Sequence, residues 1–219
     1  MKKFELTSEF VTFLGKKLFR IKALISFGNV KEGELGGFVE KEENLSDYGN
    51  AWVSGDAWVF GNTEVSGDAR VFGNARVFGN AWVFGNARVF GNAWVFGNAR
   101  VSGDARVSGD AEVSGDAEVS GDARVSGDAR VSGNAMVHGD ARVSGDADYA
   151  TVQGFGSEYR TTTFFRTKAG DIGVRCGCFY GTLDDFRKKV KETHGDSKTA
   201  KEYLMVADLM EFRFSEEEV

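Results

Sequence analysis

Residues 51–68 read AWVSGDAWVFGNTEVSGD, which is three copies of one six-residue pattern. The pattern, A-x-V-[S/F]-G-[D/N], continues to Asp146 and gives sixteen consecutive hexads without an insertion. Thr63 in place of Ala and His138 in place of Ser or Phe are its exceptions. A hexad is too small to bury its own apolar side, so this regularity indicates a solenoid in which each repeat stacks on its neighbours.

Each hexad predicts a short strand followed by a corner. The alternation of side chains along a strand places Ala and Val on one face and the variable residue on the other. Gly allows the chain to turn, and the Asp or Asn after it tolerates such backbone. Three hexads, 18 residues, close most simply as a triangle. We therefore predict a mainly β fold, a triangular parallel β-helix whose interior is filled by Val and Ala.

The hexads resemble the hexapeptide repeat of left-handed β-helix proteins, in which an aliphatic residue is followed four positions later by a small one, as Val53 is by Ala57. The resemblance implies the left hand of the coil. Residues 33–53 resemble the segment before the repeat in uncharacterised bacterial and prophage hexapeptide-repeat proteins, and residues 159–196 resemble the C-terminal piece of the prophage type. This resemblance implies a phage or prophage origin, and the proteins that it resembles have no assigned activity.

The rest of the chain predicts a cap at each end, because a solenoid otherwise leaves open edges that pair with other chains. In the tail we predict a β-hairpin followed by two helices. The predicted units are residues 1–50 as an N-terminal β cap with a first irregular coil, residues 51–150 as the repeat, and residues 151–219 as a C-terminal α+β cap.

Composition narrows the class of protein. The chain has 219 residues, 29 Gly, no Pro and a net charge of −6. It lacks an apolar run long enough for a membrane-spanning helix, and its N-terminus lacks the apolar region of a secretory signal. We therefore expect a cytoplasmic protein without a membrane partner, located in the host cytoplasm if phage-encoded. Cys176 and Cys178 are too few for a disulfide framework and are expected to be free thiols.

The 18-residue period sorts the variable residues into three outward ladders, one on each face. Stacked guanidinium groups on the first face suggest an anion ladder for nucleic acid or nucleotides. Residues 51–150 nevertheless hold eight Arg against thirteen Asp and Glu, and an acid or amide lies two residues before each Arg of this ladder. These neighbours favour a surface neutralised by ion pairs. The candidate anion ladder is Arg70, Arg88, Arg106, Arg124 and Arg142.

Aromatic residues concentrate in the first half of the repeat. Arg76 falls between Trp58 and Trp94 on the second ladder, which favours cation–π stacking. A contiguous set of exposed aromatics usually marks an interface, although aromatic rungs stacked under the N-terminal segment are an alternative. The resemblance implies trimers packed side by side, so we expect a homo-oligomer, a trimer or a dimer. The candidate interface residues are Trp52, Trp58, Phe60, Arg76, Phe78, Trp82, Phe84, Trp94 and Phe96.

The resemblance also raises enzyme chemistry, because acyltransferases of this fold use a His near a loop extruded from a coil. The sixteen hexads extrude no loop, and the chain has two His. His138 is the one candidate general base, and the alternative is a repeat position that has drifted. A three-His zinc site cannot be assembled from two His. We expect no metal and no cofactor.

These observations lead us to predict a non-enzymatic scaffold that self-associates and binds a host protein, such as a defence component. The host partner rests on the prophage resemblance alone. Two alternatives remain open. One is an acyltransferase-like enzyme with a site between subunits, and the other is a nucleic-acid or nucleotide binder that uses the Arg ladder.

Overall fold

The computed structural model describes residues 2–156 and 158–215, which form a parallel β-solenoid with a cap at each end. Met1, Ser157 and residues 216–219, which the predicted caps include, lie outside the described residues. Within the described ranges, neither helix is long and apolar enough to cross a membrane.

The N-terminal cap is an antiparallel hairpin that continues one sheet of the solenoid. Its strands are β1 (Phe4–Phe13) and β2 (Lys16–Ala23), and β2 pairs with β3 (Leu35–Val39). The β3 strand already belongs to the first coil, because Phe38 pairs in parallel with Trp58 one coil above. A short 3-10 turn, Glu42–Asn44, follows it.

The hexads form sixteen two-residue strands. They are β4 Trp52–Val53, β5 Trp58–Val59, β6 Glu64–Val65, β7 Arg70–Val71, β8 Arg76–Val77, β9 Trp82–Val83, β10 Arg88–Val89, β11 Trp94–Val95, β12 Arg100–Val101, β13 Arg106–Val107, β14 Glu112–Val113, β15 Glu118–Val119, β16 Arg124–Val125, β17 Arg130–Val131, β18 Met136–Val137 and β19 Arg142–Val143.

The strands stack as three parallel sheets, one for each face. Every third strand belongs to the same sheet, so Arg88 pairs with Arg70 below it and Arg106 above it. The first face runs from β4 to β19, the second from β5 to β17 and the third from β6 to β18. This register, 18 residues per coil, confirms the predicted solenoid.

The interior of the solenoid contains Val and Ala almost alone. The Val of every hexad is at most 1% exposed, and the Ala residues are fully buried. The corner glycines from Gly55 to Gly139 have φ between +63° and +81°, a region that favours glycine. In the one hexad that begins with Thr63, the buried hydroxyl has no hydrogen-bond partner among the residues that the structure describes. The fold thus depends on small apolar residues inside and glycine at the corners.

Most backbone hydrogen bonds between coils run in one direction. The N–H of Arg88 donates to the carbonyl of Ala105, and the N–H of Phe90 donates to that of Val107, each over 2.9 Å. These bonds run from each coil to the coil on its C-terminal side, whereas parallel pairing of the strands themselves adds bonds in the opposite direction. The N-terminal end of the solenoid therefore presents mainly carbonyl groups, and the C-terminal end presents mainly N–H groups.

The N-terminal cap supplies donors to the carbonyl end. The Lys3 ammonium group donates to the carbonyl of Ala51 over 2.9 Å, and the Arg20 guanidinium donates to that of Gly36 over 2.9 Å. Burial lowers the pKa of Lys3 to about 8, although the carboxylates of Asp47 and Asp68 act in the opposite sense. Satisfying these carbonyls removes the cost of leaving buried acceptors unpaired.

The end of the last hexad and the C-terminal cap supply acceptors to the N–H end. An Asp146 carboxylate oxygen accepts from the N–H of Arg130, and the Thr163 hydroxyl accepts from the N–H of Met136, each over 2.9 Å. Phe165 is fully buried and belongs to the same apolar cluster as the Val and Ala column, which it closes at this end. The two caps therefore have the opposite hydrogen-bonding chemistry that the two ends require.

The C-terminal cap is a four-stranded antiparallel sheet covered by two helices. The strands are β20 (Tyr149–Val152), β21 (Thr162–Arg166), β22 (Ile172–Cys176) and β23 (Phe179–Thr182). The helices are α1 (Leu183–His194) and α2 (Lys198–Phe214). The predicted hairpin is the centre of this sheet, and two short outer strands extend it.

Candidate functional site

The second face carries an aromatic and cationic column, as the spacing predicts. The Arg76 guanidinium lies 4.5 Å from the ring centroid of Trp58 and 5.3 Å from that of Trp94. Beside it, the Phe78 ring stacks on those of Phe60 and Phe96 with centroids 5.0 Å apart. Identical side chains in register at the strand spacing therefore form a continuous aromatic ladder.

The N-terminal segment covers the lowest rung of this ladder and of the first face. The Phe13 ring lies 5.1 Å from Trp58 and leaves Phe60 only 6% exposed. The Phe27 ring packs edge-on against Trp52, which is 3% exposed. Contrary to the sequence expectation, Trp52 and Phe60 add almost no exposed surface, because the cap folds over them.

The third face keeps its aromatic residues open. Trp82 is 48% exposed and Phe84 is 37% exposed. The Arg100 guanidinium lies 5.7 Å from the Trp82 ring and pairs with Glu118 over 3.6 Å. Trp82 and Trp52 occupy equivalent positions of their hexads. They differ in exposure because the N-terminal cap covers Trp52 and leaves Trp82 open.

The Arg ladder of the first face has the predicted register but not the predicted ion pairs. Within the described residues, Arg70, Arg88, Arg106 and Arg124 have no carboxylate within 4.0 Å. Their neighbours pair with other corners instead, as when the Asn86 amide donates to Asp104 over 3.0 Å. The ion-pair prediction is therefore wrong for these four arginines, and Asp68 and Asp104 instead accept from asparagines 18 residues earlier.

The highest arginine of this ladder contacts the backbone. One Arg142 nitrogen donates to the carbonyls of Asp122 and Asp140, each over 3.0 Å, and to the carbonyl of Ala141 over 2.7 Å. Its guanidinium is thus part of the C-terminal closure. It contributes less than the other four to any site for an external anion.

His138 lies at the joint between the solenoid and the C-terminal cap. Its Nδ1 is 2.7 Å from the Ser120 hydroxyl oxygen, and the Tyr180 ring packs edge-on against it with centroids 5.1 Å apart. Burial, and then the charge of Arg175, hold the pKa of His138 below its usual value. The imidazole is therefore neutral at pH 7. Its contacts with Ser120 and Tyr180 fit a side chain that packs the joint as well as they fit a general base.

We expect acid to destabilise the native state through His138. Because its pKa is lower in the folded chain than in the unfolded one, the unfolded chain binds the extra proton as pH falls below about 6.5. Urea denaturation at pH 7 and at pH 5.5 should show a smaller acid loss for His138→Gln than for the unsubstituted chain. Equal losses in both chains would contradict this assignment, and His194→Gln is the matched control.

Cys176 is the last residue of β22, and Cys178 lies in the turn between β22 and β23. The Cys176 sulfur is 3.2 Å from the Thr162 hydroxyl and 3.9 Å from that of Tyr203, whereas Cys178 is exposed. Burial and the neighbouring Cys176 raise the pKa of Tyr203 to about 12. Among the described residues, the structure contains no group of three or more His, Cys, Asp or Glu side chains that could hold a metal ion.

Comparison with known proteins supports the repeat architecture. A family model described as the YdcK beta solenoid repeat matches residues 69–85, 95–109, 99–115, 123–139 and 129–145. Comparison with curated proteins gives no match. The matched segments all lie within the stacked hexads. Together with the 18-residue coils, they identify the chain as a repeat β-solenoid protein.

Proposed function

We propose that this protein is a non-enzymatic scaffold that associates with a second copy of itself through the third face. The observation that carries the proposal is the exposure of Trp82 in β9 and of Phe84 directly after this strand. Aromatic side chains bury large areas on contact and are enriched at interfaces. A flat face of stacked strands also fixes these rings before binding, which lowers the entropic cost of association.

Charges on the same ladder support a two-fold arrangement. Glu64 pairs with Trp82 from the rung below, and Arg100 pairs with it from the rung above. An antiparallel contact centred on Trp82 therefore places Glu64 of one copy opposite Arg100 of the other. Such a self-complementary patch is what an isologous dimer requires.

Light scattering after size exclusion tests this proposal. The unsubstituted chain should have twice the mass of one chain, and the double variant Trp82→Ser with Phe84→Ser should have the mass of one. Trp94→Ser is the matched control, because it removes a tryptophan from the second face. A monomeric unsubstituted chain, or an equal loss of mass in the control, would show that the third face is not the contact.

We further propose that the assembly is phage- or prophage-encoded and binds a host protein in the host cytoplasm. The support is the resemblance of residues 33–53 and 159–196 to prophage hexapeptide-repeat proteins. Affinity capture from a bacterial lysate, followed by a binding measurement with the purified candidate, tests this step. The absence of any direct binding by the purified candidates would contradict it.

A further inference from the structure

An open groove lies on the first face near the N-terminal end of the solenoid. Its volume is about 400 Å³, which is within the range of small-molecule sites. It is separate from the third-face surface discussed above. The lining residues are Asn29, Trp52, Ser54, Arg70, Phe72 and Arg88.

The groove is cationic. Arg70 and Arg88 lie on adjacent rungs, and no carboxylate of the described part of the chain lines the groove. A second groove higher on the same face, of about 500 Å³, differs because Asp104, Asp122 and Asp140 line it together with its arginines. Guanidinium groups bind phosphate oxygens through paired, charge-assisted hydrogen bonds. The lower groove is therefore the part of the ladder suited to an anion.

The groove also has an open place in an aromatic stack. Phe72 and Phe90 stack with centroids 4.9 Å apart and ring planes within 1° of parallel. One coil below Phe72, the equivalent position holds Ser54, which is too small to continue the stack. Among the described residues, Phe72 stacks on no ring other than Phe90. A planar ring bound beside Ser54, one coil below Phe72, would therefore extend the stack by one ring.

A buried donor adds to the positive character of this region. The indole Nε1 of Trp52, a residue that lines the groove, is buried and has no acceptor within the described residues. An unpaired N–H group raises the local positive potential, and leaving it without an acceptor is costly. A negatively charged ligand is the class that this arrangement favours.

We propose that this groove binds an organic phosphate that carries a planar aromatic ring, which is the chemistry of a mononucleotide. The phosphate lies against the guanidinium groups of Arg70 and Arg88. The ring lies beside Ser54, one coil below Phe72, and stacks on the Phe72 ring. Because the groove and the third face are separate, this site does not depend on self-association.

Isothermal titration calorimetry at low salt tests the proposal with three probes: AMP, adenosine and inorganic phosphate. AMP should bind more tightly than either of its parts, since only AMP occupies both the ring position and the guanidinium pair. Added salt should weaken AMP binding, because it screens the charge interaction. Equal affinities for AMP and inorganic phosphate would overturn the assignment of the ring position.

Three variants make the test specific. Ser54→Phe fills the open place with the residue that other hexads use there, and it leaves both arginines intact. Ser54→Phe and Arg88→Ser should each weaken AMP binding by at least about tenfold. Arg124→Ser, from the same ladder but outside the groove, should not change it. Thermal melting confirms that each variant is folded.

Besides equal affinities for AMP and inorganic phosphate, any of three further results overturns the proposal. They are no AMP binding to the unsubstituted chain at millimolar ligand, unchanged binding by folded Ser54→Phe, and an equal loss in Arg124→Ser. The first result would exclude the site altogether. The other two would show that AMP binds elsewhere on the solenoid. None of these results bears on the third-face contact, which light scattering measures separately.

Discussion

Replacing Gly97 with alanine should destabilise the solenoid far more than the same replacement at Gly133. The two residues occupy the same corner column and have similar φ angles, +73° and +64°, so an L side chain is strained at both. A Cβ at Gly97 would lie 2.9 Å from the backbone nitrogen of Gly115, whereas a Cβ at Gly133 would meet nothing within 4 Å. Both variants therefore carry about 1–2 kcal/mol of backbone strain. Only Gly97→Ala also has a steric overlap with the next coil.

Chemical denaturation measures the difference. We expect Gly133→Ala to lose about 1–2 kcal/mol of unfolding free energy from backbone strain. Gly97→Ala should lose a further 1–3 kcal/mol, roughly, because a coil cannot shift without moving the strands it pairs with. Equal losses in the two variants would mean that stacked corners have room for a methyl group, contrary to the distances in this column.

Replacing Phe165 with alanine should have the second large effect, a loss of about 3–5 kcal/mol. Alternation along β21 places Phe165 on the solenoid core and Phe164 in the separate core beneath the helices, where it packs against Phe186. Both rings are fully buried. Phe165→Ala should therefore open the C-terminal end of the Val and Ala column, whereas Phe164→Ala should loosen the cap alone.

Hydrogen exchange separates these two results. In Phe165→Ala, the amides of β18 and β19 should exchange faster, because these strands contact β21 directly. In Phe164→Ala, the increase should be concentrated in α1 and α2. Matching exchange patterns in the two variants would show that the cap and the solenoid unfold as one unit, which would contradict a separate role for Phe165.

The sequence predicts the solenoid in detail because each strand and corner depends on residues within one hexad. Val, Gly and Asp recur at fixed positions, and the strand period then fixes which side chains stack. The positions of Arg88 between Arg70 and Arg106, and of Trp82 above Glu64, follow from the 18-residue spacing alone. Corner glycines with positive φ follow from the same pattern.

Which aromatic residues of the faces are covered depends on contacts between distant segments. These contacts leave no periodic pattern in the sequence. Phe13 reaches Trp58 from the N-terminal hairpin, and Phe27 reaches Trp52 from the segment between β2 and β3. The same limit explains the incorrect ion pairs, since Asp68 and Asp104 accept from Asn50 and Asn86, one coil earlier, and not from the neighbouring arginines. Strands of four residues, β20 and β23, give too short a pattern to distinguish from loops.

The prevailing direction of the hydrogen bonds between coils has a consequence for how the solenoid is kept from growing at its ends. Its carbonyl end and its N–H end are complementary, so two bare solenoids would join head to tail and offer the same two ends again. Nothing in such a joint limits growth, and the product would be a fibre. The ammonium group of Lys3 and the carboxylate of Asp146 occupy the positions that another solenoid would take. Two side chains of opposite charge thereby act as terminators of a polymer.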